Sequence, residues 1–146
     1  MLYDEMSAME NLRYFATLFG MGIGDGAHLA AAIERVGLDP KLERSVGNYS
    51  QGMRQRLSLG RALLHDPGIL LLDEPFSNLD ATGAREIAAL LAKLRDSGKT
   101  ILVVTHQAAH LESIADESLL LSQGRITGRA TGVGVNAAGV LAEAGR

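Results

Sequence analysis

The chain has 146 residues, is 47% hydrophobic and 21% charged, and carries a formal net charge of −3. That length supports one domain with its own core, and the mixing of acids and bases offers neither a nucleic-acid footprint nor a polybasic membrane patch. There is no cysteine, which excludes a disulfide scaffold and a thiolate metal site and is compatible with the cytosol.

No apolar run approaches the ~20 residues of a membrane helix, and the opening MLYDEMSAMENL lacks the basic and apolar regions of a signal peptide. Ser7-Ala8-Met9-Glu10 is a capping box, and Met9, Leu12, Phe15, Ala16 and Phe19 follow at helical spacing until Gly20 and Gly22. A second helix carries Leu29, Ile33 and Val36 and closes at Gly37 and Pro40. LERSVGNYSQG is a polar loop, and MRQRLSLGRALLHD is a helix that Pro67 stops.

Residues 69–73 form a continuous apolar run, predicted to be a strand buried on both faces. Asp80 caps a long helix with Ile87, Leu90, Leu91 and Leu94 on one side and Gly98 at its end. TILVVT is a second buried strand, QAAHLESIA a short helix, and SLLLSQGRI a hairpin turning at Gln123-Gly124. The alternation of strand and helix predicts an α/β fold with a partial parallel sheet, beside an all-helical N-terminal lobe. The boundaries expected are 1–66 for the helical part, 67–127 for the α/β part, and 128–146 for a weakly ordered tail holding five Gly and five Ala, with a short helix over 136–144.

Three groups carry chemistry. Asp73 and Glu74 end a buried parallel strand, where side chains of α/β folds face the ligand crevice. Asp73 is suited to Mg²⁺, and Glu74 to polarising a water for attack on phosphorus. The blander reading makes Asp73 a loop cap and Glu74 a solvated side chain. Ser50 and Gly52 stand before a helix, where a hydroxyl, free amides and the helix dipole suit a phosphate; equally, Ser50 is an N-cap and Gly52 a turn residue. His106 follows the second buried strand and is either a phosphate or water ligand or an ordinary loop histidine. His28, His65 and His110 receive no chemical role.

In this order, YSQGM, ILLLDE, SNLD and TH together resemble the signature motif, Walker B strand, D-loop and switch histidine of the ATP-binding subunit of ABC transporters. The resemblance spans roughly residues 2–126, with LYDEMSAMENL similar to the start of the family's helical subdomain. It implies that Asp73 serves the Mg²⁺ of ATP, that Glu74 is the catalytic base and that His106 contacts the γ-phosphate. It also implies that Ser50, Gln51 and Gly52 close over ATP held by a second ATP-binding subunit in a head-to-tail dimer, with Asp80 along the seam. The partners implied are that second subunit and an integral-membrane permease, at the cytoplasmic face of the membrane, with no nucleic acid. Gln51 and Met53 depart from the commonest signature in a way similar to exporter-type members, and YSQGMRQRL, LLHDP, LLDEPFSNLD and TH together resemble export-type cassettes, including haem exporters of cytochrome c maturation and drug exporters. A non-transport ABC protein acting on ribosomes or DNA is the alternative, although the coiled coils and basic linkers usual there are absent from this sequence. A further alternative is a non-catalytic fragment that lends its signature face to an intact partner.

One element of the family pattern is missing. These residues contain no G-x-x-x-x-G-K-[ST]; in the partial match Gly98-Lys99-Thr100, the first glycine position is Lys93. That GKT follows a helix and opens a strand, the reverse of a P-loop, so Gly98 is expected to terminate a helix and Lys99 to be a solvated turn residue. The expectation is a C-terminal portion of an ABC ATPase, inactive alone, poorly soluble and with apolar sheet surface exposed.

Overall fold

A computed structural model of the chain describes residues 1–22 and 26–132. The expected helix over 136–144 lies outside the described residues. Helix α1, Ala8–Leu18, begins at the predicted capping box: Ser7 Oγ accepts from the Glu10 amide at 3.3 Å and Glu10 Oε2 accepts from the Ser7 amide at 2.8 Å. It ends two residues before Gly20, whose φ of +68° lies in the left-handed region. Helix α2, Gly26–Arg35, stops before Gly37 at φ +72°, and helix α3 spans Gln51–Leu63.

The three helices share a core in which Leu12, Ile33 and Leu57 are fully buried. Gly60 sets how closely α3 approaches α2: a Cβ there would lie 3.3 Å from Val36 Cγ2 and 3.4 Å from the Ala32 carbonyl oxygen. The predicted apolar face of α1 is narrower than the periodicity implies. Leu12 and Ala16 are buried, Met9 and Phe15 are half-buried, and Phe19 is exposed as the C-cap residue, its ring 5.0 Å from the His65 ring.

Strand β1, Ile69–Asp73, pairs in parallel with strand β2, Thr100–Val104, in the register Leu71↔Leu102 and Asp73↔Val104. The crossover between them is helix α4, Ala81–Asp96, capped by Asp80 as predicted. Its buried face, Ala84, Ile87, Leu91 and Leu94, covers one side of the strand pair, where Leu70 is buried and Leu72, Ile101 and Val103 are half-buried.

The opposite side corrects the expectation of strands buried on both faces. Ile69, Leu71, Leu102 and Val104 are 66%, 73%, 56% and 60% exposed. Parallel sheets bury both faces only when a layer lies on each, and among the described residues this pair has one. The apolar sheet surface expected at the sequence level is therefore present.

Two further expectations change. The segment after His106 forms a three-residue 3-10 turn at Ala108–His110 and further turns rather than a helix. Thr105 Oγ1 takes the Gln107 amide at 3.0 Å, and so short a segment forms too few helical hydrogen bonds to offset nucleation. Strands β3, Glu117–Ser122, and β4, Arg125–Thr131, form the predicted hairpin, with Gln123 at φ +49° and Gly124 at φ +74°. Positive φ at both central residues matches the twist of a two-residue hairpin loop. The strand β4 enters the segment expected to be a tail, because Ala130 and Thr131 pair with Ser118 and Glu117.

Candidate functional site

The end of β1 is held by backbone and side chain together. The Glu74 amide donates to the Val104 carbonyl at 2.8 Å, extending the parallel ladder past the last strand residue. Glu74 itself has φ +46°, a conformation that costs a non-glycine residue energy and aims its side chain across the sheet edge. Pro75 and Phe76 are fully buried just beyond and anchor the turn, with the Phe76 ring 5.1 Å from that of His110.

The Glu74 carboxylate is fully engaged. Oε1 accepts the His106 amide at 3.0 Å and lies 2.9 Å from His106 Nδ1, while Oε2 accepts the Thr105 hydroxyl at 3.1 Å. An ionised carboxylate only accepts, so Nδ1 carries the proton in this contact and Nε2 is left for another partner. The hydrogen bond from His106 holds the Glu74 carboxyl below the ordinary glutamate range; partial burial opposes this, and the Thr105 hydroxyl and the His106 amide add to the lowering. Thr105, quoted in the sequence only as part of the TH motif and given no role there, is a further site residue through its hydroxyl.

Asp73 stands on the same sheet edge. It is exposed, and among the described residues its carboxylate makes no side-chain hydrogen bond, which leaves it free for a hard cation. No group of three or more His, Cys, Asp or Glu suited to a metal ion occurs among the described residues. A site of one protein carboxylate plus water and phosphate oxygens, the arrangement Mg²⁺ favours, still fits.

Ser50 and Gly52 form a second cluster. Ser50 is the N-cap of α3, its Oγ accepting from the Met53 amide at 3.2 Å, so the capping role allowed by the sequence is the one observed. Gln51 begins the helix and is exposed. Gly52 faces the 77–80 loop: a Cβ on it would lie 3.9 Å from Leu79 Cδ2. Asp80 closes that loop, its Oδ1 accepting from the Gly83 amide at 2.7 Å. Through Leu79 the helix start touches the loop leaving Glu74, but no hydrogen bond joins Ser50 to Glu74 or His106 among the described residues.

The partial P-loop match takes no part in either cluster. Gly98 ends α4 with φ +90°. Lys99 corrects the expectation of a solvated residue: its side chain is 9% exposed, and Nζ donates to Asp66 Oδ1 at 2.8 Å and to the Pro67 carbonyl at 2.7 Å. His28 is equally structural, its Nε2 lying 3.0 Å from the Leu64 carbonyl oxygen, and the exposed His65 ring lies against Phe19. Two surface grooves of roughly 280 and 300 Å³, one along α1 and one between α2, α3 and α4, include none of the predicted site residues.

Residues 1–77 match the sequence profile of the ABC transporter family. The chain belongs to that family. It is 36% identical over 86% of its length to the ABC transporter ATP-binding protein NatA of Bacillus subtilis, of which it covers 51%. It is 40% identical over 85% of its length to a fluoroquinolones export ATP-binding protein of Mycobacterium tuberculosis, of which it covers 40%. Among solved structures, a dimeric ATP-binding cassette in a post-hydrolysis state, bound to ADP and Pi, superposes with a TM-score of 0.74 at 25% identity, covering 89% of this chain and 58% of that one. The mixed α/β architecture is thus that of ABC ATPases, and this ABC chain spans about half, or less, of the length of the curated relatives it matches. No helix among its described residues is long and apolar enough to cross a membrane.

Proposed function

We propose that this ABC chain carries the water-activating and signature parts of an ATP-hydrolysing subunit that drives a separate membrane permease. The observation that carries the reading is the Glu74 carboxylate, held by Thr105 and His106 at the C-terminal edge of a parallel strand pair. A carboxylate there, ionised at neutral pH, can take a proton from an attacking water once one of its three hydrogen bonds is released. His106 orients Glu74 through Nδ1 and has Nε2 available for a γ-phosphate oxygen or that water. Ser50, Gln51 and Gly52 would meet the phosphates of a nucleotide on a second subunit, using the amides and dipole at the start of α3. Asp80 would lie along the seam between the two.

Asp73 would hold Mg²⁺ through its free carboxylate. When bound, the ion screens the charge of the phosphates. The permease and the second subunit would place the chain at the cytoplasmic face of a membrane. Export is the direction we favour, from Gln51 and Met53 in the signature and from the similarity to the fluoroquinolones export protein. A haem exporter of cytochrome c maturation is one such type. The division at residues 66/67 expected from the sequence remains part of this reading, with the α/β part carried on to Thr131 by β4.

These 146 residues contain no lysine-bearing phosphate loop, so little in them offsets bringing phosphate charge beside two carboxylates. Titration calorimetry of the chain with Mg·ATP should show millimolar or weaker binding; micromolar binding would overturn that part of the proposal. Joined behind a P-loop-bearing segment, the chain should hydrolyse ATP, and Glu74→Gln should lower kcat by about 10²–10⁴-fold. Equal turnover by the Glu74→Gln form would remove Glu74 from the chemistry.

A second reading rests on the exposed helix start at Ser50. The chain would lend this face to an intact homologous subunit, and mixing the two would then raise the homologue's ATPase rate.

A further inference from the structure

Three stretches distant in sequence meet at the approach to α3. Residues 3–6 are tied to α1 by Asn11, a fully buried polar side chain: its Oδ1 accepts the Tyr3 amide at 2.8 Å, and its Nδ2 lies 2.9 Å from the Tyr3 carbonyl and 3.0 Å from that of Ser7. The same strap holds the loop that leads into the signature. The Val46 amide donates to the Met6 carbonyl and the Gly47 amide to the Asp4 carbonyl, both at 2.8 Å. A Cβ on Gly47 would stand 3.2 Å from that Asp4 oxygen, so any side chain there would have to push the strap back by a few tenths of an ångström.

Arg54, on the first turns of α3, joins both stretches. Its Nη1 donates to the Val46 carbonyl at 3.0 Å and its Nη2 to Asp4 Oδ1 at 2.6 Å. Isolated surface ion pairs contribute little. This guanidinium instead spans two partners from two segments, one of them the carbonyl of a fully buried valine. From Val46 the chain reaches Ser50 through a 3-10 turn and the buried Tyr49.

We propose that Arg54 is a positioning residue: by clamping the 3–6 strap to Val46, it fixes how the first turn of α3 presents Ser50 and Gly52. This rests on the reading that those two residues meet a nucleotide on a second subunit. Motion imposed on the strap would reach the signature turn through the same bonds.

Amide hydrogen exchange of the full 146-residue chain tests the clamp without nucleotide. Arg54→Met, which keeps the aliphatic stem, should speed exchange over residues 46–53 about tenfold and leave α4 and the β3–β4 hairpin unchanged. Gly47→Ala should do the same with every charge intact. Arg54→Lys, which keeps the charge but lacks the planar fork that spans the two oxygens, should fall between Arg54→Met and the parent chain. Unchanged exchange over 46–53 in both Arg54→Met and Gly47→Ala, or equal acceleration everywhere, would overturn the clamp. In the P-loop-completed protein, Arg54→Met should lower kcat about tenfold without altering the affinity of that subunit for its own nucleotide. If Glu74→Gln abolishes turnover and Arg54→Met does not, the positioning role fails alone. If Glu74→Gln has no effect, the catalytic reading fails while the exchange result stands as a separate measurement.

Discussion

His106 Nδ1 lies 2.9 Å from Glu74 Oε1, so the histidine after β2 and the glutamate after β1 are one hydrogen-bonded unit across the sheet edge. The folded-state pKa of Glu74 is lowered by this contact first. A lowered carboxyl contributes stability that is present above the ordinary glutamate range and is lost as pH falls through the folded value. His106→Ala should therefore raise the Glu74 pKa toward its ordinary range, read by NMR titration of the carboxyl carbon. An unshifted titration would mean that Thr105 and the backbone suffice.

Neighbouring leucines on β1 should behave oppositely. Leu70 is 3% exposed and Leu71 is 73% exposed. Leu70→Ala should cost about 2–5 kcal/mol in urea denaturation, since it leaves a cavity under α4. Leu71→Lys should hardly change the melt and should reduce self-association in sedimentation, because it interrupts the bare apolar face. Strong destabilisation by Leu71→Lys would show that the face is covered in solution.

Asp80 and its cap can be separated from any role at a subunit seam. Asp80→Ala should cost about 0.5–2 kcal/mol of stability, as the Gly83 amide loses its acceptor. Asp80→Asn retains an acceptor and should be nearly neutral in the same denaturation measurement. If Asp80→Asn still impairs turnover in the completed protein, the charge acts beyond capping.

Lys99 should show itself as a structural cation. Asp66 is held below the ordinary aspartate range by the hydrogen bond from Lys99, then by its charge, with Arg35 adding to it. Lys99→Met should move the Asp66 titration upward, and the contribution that pairing makes to stability, present above the ordinary aspartate range, should shrink there. Addition of Mg·ATP should leave the Lys99 side-chain resonances where they are. A nucleotide-dependent shift at Lys99 would reopen its assignment as a phosphate ligand.

Much of the local structure was legible in the residues. The Ser7–Glu10 box, the Asp80 cap, the glycine stops at Gly20, Gly37 and Gly98, and the Gln123-Gly124 turn all occur where the sequence places them. Each depends on groups a few positions apart, so short-range chemistry suffices. The burial of Lys99, the exposure of Leu71, the failure of 107–115 to form a helix, and Thr105 beside Glu74 were not legible in the same way.

By itself the sequence determined the order of strands and helices, the caps that begin and end them, and the succession of signature, acidic pair and histidine that marks an ABC protein. Only the tertiary structure decided which face of β1 is covered, how both oxygens of Glu74 are satisfied, and that Asp4, Val46 and Arg54 meet. Those outcomes depend on contacts between segments separated by tens of residues, and a pattern of neighbouring side chains carries no information on what will lie across from it.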